Sequence, residues 1–483
     1  MYLGIDLGTS GVKALLMDAD QRVLGSATAG LSVARPHSGW AEQEPADWIA
    51  ATETAIATLR ARHDLSAVEG IGLSGQMHGA VTLDAADRVI RPAILWNDGR
   101  SQEQAARLDA DPRFRALSGN IVFPGFTAPK LVWMAENEPA LFERVAMVLL
   151  PKDYLRLWLT GEHVAEMSDA AGTSWLDTGA RRWSGDLLAA SGMRMDQMPR
   201  LIEGTEVSGG LRADLAGAWG MKPGIPVAGG AGDNAATAIG AGTVTVGQGF
   251  VSLGTSGVLF AATDRYLPRP ESAVHAFCHC LPGMWHQMGV VLSASAALEW
   301  LSALLGQSAA DLTGALGPDL KAPGEVTFLP YLSGERTPHN DATARGAFVG
   351  LSASSDRNAL TQAVLEGVAF ALADNLAVLR AAGSDPEAFL ALGGGARSQY
   401  WLQVIATALN LPLLLPESGD FGAAFGAARL GMIAATGADP VSVCTAPVIA
   451  AEIKPVAALS GAFADRLAVF RELYAGATHP GQA

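Results

Sequence analysis

A chain of 483 residues, 49% hydrophobic and 17% charged, has the composition of a folded globular protein and is long enough for two large domains. Its formal net charge of −15 argues against nucleic acid or an anionic membrane as partner, because both are polyanions. A phosphate-bearing small ligand remains compatible with that charge, since a local cradle of backbone amides can bind one inside an acidic protein.

Three cysteines, Cys278, Cys280 and Cys444, cannot build a disulfide framework. The Cys278-His279-Cys280 run lacks a second pair at metal-site spacing and reads as packed thiols. The first apolar segment is interrupted at Asp6, too early for a signal peptide, and no uninterrupted apolar run reaches the ~18 residues of a membrane span. No membrane span and a cytoplasmic location are therefore expected.

The opening YLGIDLGTSGVKALLMDADQRVLGSATAGLSV predicts strands over Leu3–Leu7 and Val12–Met17, joined by a Gly-Thr-Ser-Gly hairpin, with a third strand over Val23–Ser32. Next, Trp48, Ile49, Thr52, Ile56 and Leu59 fall along one helical face, with Pro45 suited to the first turn. VEGIGLSGQMHG returns as a strand that ends in a loop bracketed by glycines. In the second half, IPVAGGAGDNAATAIGAG reads as strand, glycine-rich turn and small-residue helix, and GQGFVSLGTSGVLFAA as strand, turn, strand. Leu360 to Leu379 forms a strongly apolar helix, and FLALGGGARSQYWLQVIATALN is strand, glycine turn, helix. Small residues cluster at Gly240–Gly247, so domains over 1–244 and 245–483 are expected.

Leu-Gly-Thr-Ser-Gly is thus written twice, after Asp6 and again after Ser252, each time between two apolar strands. A tight hairpin of Gly, Thr and Ser offers backbone N–H groups and hydroxyls with little bulk in the way, which suits phosphate oxygens. Two of them across a cleft would grip both ends of a triphosphate. The alternative is two unrelated turns that merely favour Gly and Ser.

The duplicated hairpin, the acid heading its first copy and the later GGGAR loop resemble the actin/hexokinase/Hsp70 ATPase superfamily. Within it, GFTAPKLVWM (Gly125 to Met134) and GAFVGLSASSDRNALTQAVLEGVAFAL (Gly346 to Leu372) resemble the two signature segments of the FGGY carbohydrate kinases. GQMHG, WNDGR, LLPKDYLR and MSDAAGT are similar to the pentulose-kinase branch of that family. The resemblance runs from Met1 to about Leu430. It implies an α/β fold of two actin-like, ribonuclease H-like domains, mixed sheets flanked by helices around a central cleft. It also implies ATP and Mg²⁺ as cofactors and a small-molecule sugar as substrate, with a homodimer ordinary for the family.

Phosphoryl transfer requires a nucleophile freed of its proton, a metal shielding phosphate charge, and donors that hold the groups in line. Asp233, where a strand gives way to a glycine-rich turn in GGAGDN, is the expected general base, and the family's catalytic Asp falls in this element. An N-cap for the following helix is the structural alternative. Ala231 stands where the family often has a further glycine. Asp6 heads a phosphate turn, and an acid there repels phosphate unless a cation intervenes; Asp6 and Asp233 are accordingly the carboxylates assigned to Mg²⁺. Ser252, in the second copy, needs no metal. Thr9, Lys13 and Thr255 are expected phosphate contacts, although Lys13 also suits a solvated strand.

Met77 and His78 in SGQMHG are the expected sugar contacts, His78 as a neutral donor or acceptor and Gln76 adding an amide. The resemblance points to the same Met-His pair. Asn234 would take another hydroxyl, and Trp96 of WNDGR would form a wall unless it is ordinary core. Gly394 and Gly395 of LGGGAR leave room for a purine against backbone, or else serve helix–sheet packing. Glu335-Arg336 reads as a salt bridge ordering the cleft. The implied activity is phosphorylation of a ketopentose at its terminal hydroxyl. Another polyol, or an actin-like or Hsp70-like ATPase without a sugar, stands as the alternative.

Overall fold

Largely apolar or small-residue runs over 2–7, 11–17 and 70–75 build the buried centre of the first sheet. In this computed structural model, which describes residues 1–417 and 421–477, the chain begins with β1 (Tyr2–Leu7), β2 (Gly11–Met17) and β3 (Val23–Gly30) as an antiparallel meander. The third strand ends two residues before the expected Ser32. Helix α1 (Pro45–Arg60) carries Pro45 in its first turn and buries Trp48, Thr52, Ile56 and Leu59. Strand β4 (Gly70–Gly75) then lies parallel to β1. Helices α2 (Thr127–Asn137) and α3 (Pro151–Thr160) follow, and β5 (Val207–Gly210), β6 (Pro226–Ala228) and the two-residue β7 (Ala231–Gly232) complete the sheet before α4 (Asp233–Gly240). Its order is β5-β6-β4-β1-β2-β3, with β7 pairing β4.

The second half repeats the plan. Strands β8 (Gly249–Leu253) and β9 (Gly257–Thr263) form the second LGTSG hairpin, extended by β10 (His275–Cys278) and β11 (Trp285–Val291). Helices α5 (Ser295–Leu305) and α6 (Arg357–Ala381) lead to β12 (Phe389–Leu392), parallel to β8. Helix α7 (Gln399–Leu409) and β13 (Leu413–Pro416) follow, then α8 (Ala423–Thr436) and β14 (Ile449–Ile453). The order is β10-β11-β9-β8-β12-β13-β14. In both sheets a hairpin's first strand pairs in parallel with a strand formed much later in the chain, so the mixed α/β expectation holds in each half.

By length and mean hydropathy α6 is apolar enough to cross a membrane, but Gln362, Glu366, Asp374 and Asn375 interrupt its apolar run and 83% of its apolar stretch is buried inside the protein. Val364, Leu365, Val368 and Leu372 sit in the second core with Leu259, Val291 and Trp401. Helix α8 belongs to the second half in sequence yet lies on β1 and β4 of the first sheet. Only a bare backbone allows that approach: a Cβ on Gly4 would stand 1.9 Å from the Ala424 carbonyl oxygen, and one on Gly72 1.8 Å from that of Ala427. A further apolar cluster joins Met77, Phe123, Phe126 and Met167 to Ala273, Phe277 and Cys278, tying the halves together beside the GQMHG loop. All three cysteines are free and buried, in line with packed thiols.

Candidate active site

Three parallel strands end side by side. Asp6 of β1 lies opposite Ser74 of β4, and Ala231 of β7 lies opposite the same Ser74 on the other flank. Two residues beyond Ala231 comes Asp233, at the carboxyl ends of these strands, the edge of an α/β sheet where ligands commonly bind. The extra methyl of Ala231 is fully buried and leaves the strand pairing intact.

Asp233 is the first residue of α4, and Gly232 holds the cap position; the capping alternative is thus displaced by one residue. The Asp233 carboxylate accepts hydrogen bonds from the Asn234 amide (2.7 Å) and from Asn234 Nδ2 (3.0 Å). Asn234 therefore orients the acid directly, alongside its expected role toward substrate. A helix amino terminus favours negative charge by about 0.3–1 kcal/mol, but burial, followed by the like charge of Asp6, outweighs it. Together they push Asp233 up to about 7. A carboxylate half-protonated at neutral pH is matched to general-base work.

His78 has φ of +69°, a left-handed conformation rare outside glycine. Its backbone carbonyl is gripped by Lys130 Nζ (2.8 Å) and Thr127 Oγ1 (3.1 Å), and Lys130 also donates to the Gly125 carbonyl (2.7 Å). Its ring Nδ1 pairs with the Gly172 carbonyl at 2.7 Å, so Nδ1 carries the hydrogen and Nε2 is left as an acceptor. The ring stacks on Phe126 with centroids 4.5 Å apart. Burial, with lesser repulsion from Lys130 and Arg336 against the Gly172 bond, lowers His78 to about 3, so the imidazole stays neutral. Met77 is buried against Gly232, where a Cβ would stand 2.9 Å from Met77 Cγ. The Met-His loop and the base loop are thereby in direct contact.

The first hairpin is bound to this loop. Thr9 Oγ1 donates to Gln76 Oε1 (2.9 Å) and accepts from Trp96 Nε1 (3.0 Å), while Gln43 Nε2 donates to the Thr9 carbonyl (2.8 Å). A hydroxyl has one proton, and Thr9 gives it to Gln76, so its hydroxyl is not poised to donate to phosphate. Lys13 faces Asp6 across the hairpin register. Trp96 is 44% exposed and is not part of the core.

The second hairpin and the glycine loop enclose a cavity of about 760 Å³, lined by Gly254, Thr255, Ser295, Gly394, Gly395 and Trp401 among others. That volume suits a nucleotide. Thr255 is exposed there, and its carbonyl accepts from Ala294 and Ala296, anchoring the start of α5 to the hairpin. The three loop glycines divide the labour. Gly393, with φ of +88°, passes within 3.0 Å of the Leu253 backbone at its would-be Cβ; Gly394 faces open space; Gly395 packs on Leu253, Trp401 and Ser295. Gly394 thus offers the open approach, and Gly395 also serves packing.

One reading is corrected. No ion pair joins Glu335 and Arg336 among the described residues. Glu335 Oε1 instead accepts from the Arg336 and Leu292 amides, and burial raises its pKa to about 7. Arg336 lies over Phe123 and reaches His275 Nε2 at 3.4 Å. In WNDGR the charged residues are structural: Asp98 takes Arg100 Nε (2.9 Å) and Nη2 (2.7 Å), and Arg100 stacks on Trp40. The sequence reading passed over Lys130 and Gly172, whose contacts with His78 span 52 and 94 residues.

Comparison with known proteins follows this geometry. The N-terminal domain of the FGGY family of carbohydrate kinases matches residues 1–240, and its C-terminal domain residues 249–435. The xylulose kinase of Escherichia coli (strain K12) is 51% identical over 437 residues, 90% of each chain. That of Bacillus subtilis (strain 168) is 36% identical over 435 residues, 89% of this chain and 87% of the relative. Among solved structures, a xyloylose kinase from Brucella ovis is 64% identical with a TM-score of 0.97 over 98% of both chains. A xylulose kinase from Rhodospirillum rubrum is 31% identical with a TM-score of 0.91, again over 98% of both. With its two actin-like halves and both family domains matched in order, the chain belongs to the FGGY family of carbohydrate kinases and is a sugar phosphotransferase.

Proposed function

We propose that the protein phosphorylates D-xylulose at O5, using ATP, to give D-xylulose 5-phosphate, with Asp233 as general base. The observation that carries this reading is the contact of Gly232 with Met77, which brings the acid and the Met77-His78 loop to one place. The names of the relatives support xylulose as the substrate.

In this mechanism His78 Nε2 accepts a hydrogen bond from a sugar hydroxyl, and Met77 packs against the carbon edge. Asn234 takes a further hydroxyl while holding the Asp233 carboxylate. Asp233 receives the O5 proton as O5 attacks the γ-phosphorus in line. Amides of the two LGTSG hairpins, with Lys13 and Thr255, bind the phosphates, and Gly394 and Gly395 lie against the purine. Asp6 and Asp233 form a hard-oxygen pair close enough for one charge to raise the other's pKa, a donor set that fits Mg²⁺ with phosphates and waters as its remaining ligands. When bound, Mg²⁺ would neutralise developing phosphate charge. Approach of the halves around the sugar would exclude water, the competing acceptor.

The test is ADP release with Mg·ATP against D-xylulose, D-ribulose, L-xylulose, L-fuculose, gluconate, glycerol and no sugar. A dominant kcat/KM for D-xylulose is expected. Preference for another polyol would replace the substrate while leaving the chemistry, and sugar-independent hydrolysis alone would favour an actin-like or Hsp70-like ATPase.

A further inference from the structure

We propose that Ser168 is a positioning residue for Asp233, acting through the backbone amide of Gly232; the inference rests on Asp233 being the base. The glycine-rich turn 229–232 has almost no side chains with which to fix itself, and it is held from below at two points. Gly232 N–H donates to Ser168 Oγ (3.1 Å), and Arg156 Nη2 donates to the Gly229 carbonyl. Ser168 Oγ in turn reaches Glu166 Oε1 and Oε2 at 3.0 and 2.9 Å. Glu166 also accepts the Ser168 amide (2.7 Å) and the Asp169 amide (2.9 Å), and Lys152 Nζ stands 3.3 Å from it. Lys152 further meets Asp153 at 2.7 Å and Asp169 at 3.2 Å.

Lys152, Asp153, Arg156, Glu166, Ser168 and Asp169 are each 0% exposed. A buried ionic cluster of this kind contributes little net stability, since apolar groups of similar volume commonly do as well or better. What it supplies is geometry, because every member has a fixed partner. Ser168 is the member that touches the turn next to Asp233. Its hydroxyl donates toward Glu166 and so presents a lone pair to Gly232 N–H. Gly232 is also the residue packed on Met77, so a shift there moves the base relative to the sugar loop.

The experiment is steady-state and single-turnover kinetics of the full chain as Ser168→Ala, Ser168→Thr, Asp233→Asn and Ser168→Ala/Asp233→Asn. Ser168→Ala is expected to lower kcat on the order of ten- to a hundredfold, the scale of an ångström-level misplacement, with both KM values nearly unchanged. Ser168→Thr, which keeps the hydroxyl, restores most of it. Added to Asp233→Asn, Ser168→Ala should cost nothing further, because it acts through a carboxylate no longer present. Unchanged kcat in folded Ser168→Ala, or the same fractional loss in both backgrounds, overturns the proposal. Should the alanine variant fail to fold, Ser168→Cys goes through the same cycle, and the same two outcomes decide. Wild-type turnover in Asp233→Asn alone would instead overturn the base assignment, and this proposal with it.

Discussion

Asp6 of β1 and Asp233, which opens α4 directly after β7, lie on opposite flanks of β4, yet the charge of Asp6 raises the proton affinity of Asp233. In the nucleotide- and metal-free protein this couples stability to pH. The Asp233 pKa is about 7 folded against an ordinary 3.8, so between those values the folded state holds the extra proton. Stability from this group is full below about 4 and lost as the pH rises through about 7. Asp233→Asn removes the penalty. It should leave stability unchanged near pH 4 and raise it by about 1–3 kcal/mol at pH 8, less than the full shift because the carboxylate partly meets the cleft's water. Urea unfolding at the two pH values measures this. Turnover of the same variant should fall by roughly 10²–10⁴, the usual share of a general base.

His78 is set as a hydrogen-bond acceptor by the 2.7 Å contact of its Nδ1 with Gly172. With a pKa near 3 it stays uncharged from pH 5 to 9, so no limb of the pH–rate profile should belong to it. His78→Ala should raise the sugar KM by roughly 10- to 100-fold, the worth of one or two buried hydrogen bonds, and leave the ATP KM in place. A pH limb near 6 that disappears in His78→Ala would contradict the neutral assignment.

The glycine loop separates packing from binding. Gly393→Ala meets both a left-handed backbone and the Leu253 main chain, and should lose about 1–3 kcal/mol of stability. Gly394→Val places its methyls in open space on the cavity side; it should fold normally and raise the ATP KM at least about tenfold through lost purine contact. Thermal unfolding beside ATP titration distinguishes the two, and equal effects at both positions would argue against a purine over Gly394.

Much of this site was readable because its parts are local. Consecutive small residues between apolar strands mark a turn, so both LGTSG hairpins were legible, and the structure forms both. The Met77-His78 loop and Asp233 likewise sit at strand ends where the chain turns. What escaped involves partners distant in sequence. Lys130 reaches back 52 residues to the His78 carbonyl, and a lysine on an apolar helix looks no different from a solvated one. Helix α8 returns to the first sheet by way of Gly4 and Gly72, glycines that resemble ordinary strand irregularities. Neighbouring opposite charges invited the Glu335-Arg336 pairing, but successive side chains in an extended loop point apart, and backbone amides took the carboxylate instead.

Thr9 is where local reading and long-range contact diverge most, and the difference can be measured. Its hydroxyl bridges Gln76 and Trp96, while Gln76 Nε2 donates to Gln43 Oε1 (3.0 Å) and Gln43 returns to the Thr9 carbonyl. This ring fastens the first hairpin to the loop bearing Met77 and His78. Thr9→Val keeps the shape and removes both hydroxyl bonds. Trp96 is exposed and can turn to water, but Gln76 is 2% exposed, so its oxygen is left unpaired at a cost of about 1–3 kcal/mol. The expected result is a loss of stability in that range and a fall in kcat/KM for the sugar of roughly tenfold, with Thr9→Ser restoring both. If the hydroxyl instead donated to a phosphate, the dominant change in Thr9→Val would be a higher ATP KM with the sugar terms intact. ATP and sugar titrations of the two variants decide between a hairpin that grips phosphate with backbone alone and one that also uses this side chain.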